Sequence, residues 1–181
     1  MAGSYLRLIK LSLLLLSVSM MPAAGATGSA SQTLSGTISP VGRIVVPASA
    51  TLTTSVTTFH PFTGSLMVNY EARTTAAGGG NITLSVSGDF TPSGGPSAAS
   101  GALTYTCSGA TLGVPCSGTQ TASTSSQTPV LTLPASACTG GGGTCSGPDP
   151  NSVNLNFTLS DDPGYSTGTY SASITFTISA T

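Results

Sequence analysis

Wherever the chain shows a pattern, apolar and polar residues alternate with a period of two. In "SLMVNYEAR", Leu66, Val68, Tyr70 and Ala72 share one face, with Met67, Asn69, Glu71 and Arg73 on the other. "NITLSVSG" places Ile82, Leu84 and Val86 against Thr83, Ser85 and Ser87, and "SVNLNFTLS" aligns Val153, Leu155, Phe157 and Leu159. The longest run, "GTYSASITFTISAT", carries Tyr170, Ala172, Ile174, Phe176 and Ile178 on one face. Successive side chains of a strand point to opposite faces, so each stretch predicts a strand with one buried and one wet side.

Shorter strands are predicted for "QTLSGTIS" (Leu34, Ile38), "GRIVV" (Ile44 to Val46), "ATLTTSV" (Leu52, Val56), "ALTYTC" (Leu103, Tyr105) and "PVLTLP" (Val130 to Leu133). Between them lie Gly/Pro/Ser segments with turn chemistry, such as "TPSGGPSAASG" and "DDPGYSTG". Pro40 and Pro47 bracket "VGRIVV". Proline cannot donate to a central ladder, so that segment is predicted to be an edge strand or a short piece. About eight or nine short strands without helices predict an all-β fold, an antiparallel β-sandwich of Ig-like or pilin-like type. A closed barrel is the alternative, because periodicity does not count sheets.

The first residues change the picture. Arg7 and Lys10 precede an apolar run from Leu11 to Met21, followed by Pro22 and Ala24-Gly25-Ala26. That is the layout of a secretory signal peptide cleaved after Ala26, and the run is too short to span a bilayer. Residues 27–181 are then expected to form a single domain, secreted, extracellular or at the cell surface, with the periplasm as the other compartment. This part keeps two basic residues, Arg43 and Arg73, against five acids, Glu71, Asp89, Asp149, Asp161 and Asp162, for a net charge of −3. Two arginines cannot neutralise a phosphate backbone, so no nucleic-acid partner is expected. Charged residues make up only 5% of the chain. A nearly uncharged Ser/Thr/Gly surface has little colloidal repulsion and few charged gatekeepers at its edges, and suits a protein that assembles or lies in a matrix.

Candidate chemistry is sparse. Cys107 and Cys116 are separated by eight residues, Cys138 and Cys145 by six, and His60 is the single histidine. Zinc and redox motifs need C-x-x-C pairs or histidine partners, so no metal or cofactor is expected; four cysteines in an exported chain predict two disulfides. The pairing Cys107–Cys116 with Cys138–Cys145 closes two short loops, each worth about 2.5 kcal/mol in chain entropy. The crossed pairing Cys107–Cys145 with Cys116–Cys138 stays open. The four glycines Gly140 to Gly143 lack the lysine and helix a phosphate loop requires. A hydrolase would have to use His60 with Asp89, Asp161 or Asp162, and "FHPF" reads as a packed or rim histidine, so no enzyme is expected. Calcium would draw on Asp149, Asn151, Asp161 and Asp162, whose first reading is turn formation. A carbohydrate partner remains open, with Tyr165 the loop aromatic to test. The sequons at Asn81 and Asn156 fall inside predicted strands.

The closing segment, with Gly168, Tyr170, Ile174, Phe176 and Ile178, resembles the last strand of secreted bacterial Ig-like and pilin-like β-sandwiches, including the spore coat protein U type. The resemblance covers the two ends of the chain. It implies a non-enzymatic structural or adhesive protein of the surface, a self-assembling fibre subunit whose Ser/Thr/Gly-rich N-terminal segment pairs with a neighbour, its partners being itself or other surface proteins. The other function expected is a carbohydrate- or ligand-binding module, with or without calcium.

Overall fold

Among the described residues, after its second strand the chain changes sheet at every connection. The computed structural model describes residues 31–55, 58–137 and 150–181, and the chain divides into two units, Met1–Gly36 and Thr37–Thr181. Of the first unit only 31–36 are described, and they lie in no helix or strand. The described residues of the second unit form nine strands: β1 (Val41–Val45), β2 (Phe62–Arg73), β3 (Gly80–Thr91), β4 (Leu103–Ser108), β5 (Val114–Pro115), β6 (Gln120–Thr121), β7 (Thr128–Leu133), β8 (Asn151–Leu159) and β9 (Ser171–Ala180). They form a five-stranded sheet in the order β1-β2-β8-β4-β6 and a four-stranded sheet in the order β5-β7-β3-β9. Every pairing is antiparallel. The fold is the antiparallel two-sheet sandwich that the alternation predicts.

The register shows why. In β2 and β8, Leu66 lies opposite Leu155 and Val68 opposite Val153, so the apolar files of both strands fall on one side of the sheet. Shifting either strand by one residue would turn its whole file to water. Val68, Ile82, Leu84, Val153 and Leu155 are fully excluded from solvent, each contributing about 1.5–3 kcal/mol of burial. Polar groups that enter this interior arrive with partners. The Tyr70 hydroxyl donates to the Leu112 carbonyl. The Tyr105 hydroxyl lies 2.7 Å from Thr128 Oγ1 and 2.9 Å from the Pro129 carbonyl, and its ring packs on Phe157 at 5.8 Å. Thr74, 1% exposed, donates to the Pro134 carbonyl at 2.9 Å and accepts the Ala137 N–H at 2.8 Å, which fixes the turn after β7.

Several expectations are corrected. The predicted strand through Leu34 and Ile38 does not form; residues 31–40 join no ladder, and Leu34 is 95% exposed. Gly36 takes the middle place in the file between those two apolar residues, so the segment brings too little apolar surface to hold a sheet position by itself. Of "ATLTTSV", the described residues make one isolated bridge, Thr53 to Thr63, and only Leu52 packs on the core, while Val56 lies outside the described residues. Strands β5 and β6, two residues each, were not legible, since two residues carry no period. Tyr170 sits just outside β9, and a Cβ on Gly95 would lie 2.1 Å from its ring, so the ring covers a bare glycine.

Cys107 and Cys116 form a disulfide, which excludes the crossed pairing. It joins β4 in one sheet to the residue after β5 in the other, so it ties the two layers together. The Cys138–Cys145 pairing falls outside the described residues. Replacing both bonded cysteines (Cys107→Ala with Cys116→Ala) is expected to lower unfolding free energy by about 2–3 kcal/mol, read as a reduced denaturant midpoint.

Candidate functional site: an open sheet edge

The described residues singled out for chemistry do not converge on one place. His60 is exposed in the segment before β2. Asp162 Oδ1 accepts the Gly164 N–H at 2.7 Å, and its carbonyl accepts the Tyr165 N–H at 2.9 Å, so this acid and the tested aromatic build the turn before β9. Asn151 is 3% exposed at the start of β8, its Oδ1 accepting the Thr111 hydroxyl at 3.2 Å. Asp149 lies outside the described residues. Among the described residues no three His, Cys, Asp or Glu side chains gather where they could hold a metal ion. Asn81 and Asn156 stand exposed on β3 and β8.

Asp89 is the most heavily engaged acid. Its carboxylate accepts the Ser97 hydroxyl at 2.6 Å and the N–H groups of Phe90 and Ala98, each at 2.8 Å. Partial burial pushes its pKa up, but these bonds, together with one from the Ala99 N–H, outweigh it and hold the carboxyl below the usual carboxylate range. The group staples the single 3-10 turn, Ala98–Ser100, to the end of β3. It is a brace, with its lone pairs already used.

What stands out is a strand edge. A two-sheet sandwich has four edges, here β1, β6, β5 and β9. Exposed edges are templates for pairing, and proteins blunt them with short strands, proline or charge. Strands β5 and β6 are two residues long and flank the disulfide. Strand β1 carries Arg43, in an ion pair with Glu71 at 3.2 Å, and lies between Pro40 and Pro47. Strand β9 has ten residues, no charge and no proline.

Its inner face is unfinished as well. Ala172, Ile174, Phe176 and Ile178 point toward the core yet remain half-buried, while Ile82, Leu84 and Val86 on the adjacent β3 are at most 3% exposed. Across the sandwich, five-residue β1 meets β9 at Gly42, where an added Cβ would lie 3.1 Å from Ile178 Cγ1. A strand half as long cannot cover the whole row. Sequence reasoning found the inner file of β9 but could not see that this strand ends its sheet.

Compared with known proteins, the chain matches no family model, and no curated protein or solved structure is significantly similar to it.

Because the folded-state pKa of Asp89 lies below its unfolded value, its stabilisation is present above the unfolded value and is lost as pH falls through the folded one. Asp89→Asn is expected to cost about 1–3 kcal/mol at neutral pH. Thermal unfolding at stepped pH should show the gap to the parent protein closing below about pH 4.

Proposed function

We propose that the chain is a non-enzymatic structural protein of the cell surface or extracellular layer, exported by the leader expected in residues 1–26, and that it works by assembling with copies of itself. The observation that carries this reading is the ten-residue β9 edge, uncharged and unblunted, with a half-buried apolar row behind it. The disulfide between the sheets supports an oxidising compartment. Among the described residues no helix is long and apolar enough to cross a membrane.

The outer face of the five-stranded sheet favours an adhesive role beside the structural one. There Thr104 lies opposite Thr158, Thr106 opposite Asn156 and Ser108 opposite Asn154. Such a field of hydroxyls and amides offers hydrogen bonds to sugar hydroxyls without charge, and a glycan array probed with the folded protein reads this second role directly.

The structural reading is tested by sedimentation of the mature protein over rising concentration, together with immunogold labelling of intact cells. Assembly in solution and label at the cell surface are expected. A protein that stays monomeric at millimolar concentration, or label confined to the cell interior, would overturn the proposal.

A further inference from the structure

The nine residues Ala172 to Ala180 read A-S-I-T-F-T-I-S-A, the same in both directions about Phe176. Among the described residues, this palindrome lies in the one long open edge of the sandwich. We propose that β9 pairs antiparallel with β9 of a second copy, with the twofold axis at Phe176, so that the two four-stranded sheets become one sheet of eight. The inference rests on the self-assembly reading above and names its contact.

Twofold symmetry requires that if residue i meets residue j, then j meets i. In an antiparallel pair centred on Phe176, each residue meets the one equally far on the other side of the centre. The palindrome makes every such pair like with like: Phe176 with Phe176, Thr175 with Thr177, Ile174 with Ile178. A slip centred on Thr175 would instead set Phe176 against Ile174 and Ile178 against Ala172, mismatching the sizes along the inner face. A slip of one residue would turn the apolar file outward.

The backbone is set for this partner. Thr181 donates its N–H to the Gly79 carbonyl at 2.8 Å, and the register of β9 on β3 continues unbroken from Ala180 to Ile174. Ladder bonds alternate sides along an antiparallel strand, so odd-numbered residues here bond β3 and even-numbered ones direct N–H and C=O to the open edge. Ile174, Phe176 and Ile178 are thus the residues that exchange bonds with the second copy. They are also the residues whose side chains stand half-buried, so one pairing satisfies the edge amides and brings the two apolar rows together. No charge on β9 opposes the approach of its copy.

Thr175 and Thr177 face outward and are exposed, so lysine at both leaves the interior untouched. The parent protein is expected to sediment as a dimer. The Thr175→Lys, Thr177→Lys variant sets like charges directly opposite one another and should weaken dimerisation about tenfold or more, with an unchanged circular dichroism spectrum. Mixing it with a Thr175→Glu, Thr177→Glu variant should restore the dimer. Should the charged variants fail to fold, cross-linking decides: oxidised mixtures of Thr175→Cys with Thr177→Cys should give covalent dimers, and neither variant alone should. A lysine variant that assembles like the parent, or cysteine mixtures that do not cross-link, overturns the β9 pairing while leaving self-assembly in place. A dimer lost on deleting residues 27–38 but unaffected by the lysines also overturns it, and assigns the contact to the N-terminal segment. A parent protein monomeric at every concentration overturns both readings.

Discussion

The apolar layer between the two sheets is the interaction on which everything else in this molecule depends. Because the chain passes from one sheet to the other at each step after β2, only β1 and β2, among the strands of the described residues, are both neighbours in sequence and partners in a ladder. No chain of hairpins builds either sheet locally. The ladders of β2 with β8 and of β3 with β9 join residues far apart in the chain, and their registers are held by which side chains must face inward. Folding such a topology closes long loops before their contacts form, which places it among slow folders. The disulfide between β4 and the end of β5 shortens that search for one corner of the sandwich.

That dependence explains what the sequence disclosed. Leu66 to Ala72, Ile82 to Val86 and Val153 to Leu159 alternate because their strands are buried on one side only, and the alternation is visible without any structure. The proline bracket placed β1 at an edge for a reason internal to its own residues. By contrast, the file through Leu34 and Ile38 is broken by Gly36 and forms no strand, since two apolar residues state a preference for a sheet and cannot supply one. The two-residue strands β5 and β6 are positioned by their partners in the ladder.

The open edge was hidden for a related reason. Its residues were correctly read as a strand with an apolar file, but whether a strand is central or terminal depends on how many others lie beyond it. Ile174 and Ile82 look alike in sequence; one is half-buried and the other sealed because of their places in the sheet order β5-β7-β3-β9. The turn at Asp162 was legible because Asp-Pro-Gly imposes its conformation locally, whereas the brace made by Asp89 depends on Ser97 and Ala98 and left no local signal.

The two ends of the sandwich unit also have a mechanical meaning. Val41 lies opposite Arg73, whose guanidinium holds the Ser39 carbonyl at 2.8 Å, and Thr75, two residues further on, donates its N–H to the Thr181 carbonyl at 2.9 Å. The entering and leaving backbone therefore meet at one pole. Tension between those two points would peel β1 and β9 from that pole one bond at a time, since ladder bonds run across the strands and would be loaded in sequence. A filament strung end to end through these points would be weak in tension, whereas one that carries its load through the flanks of the sandwich would not.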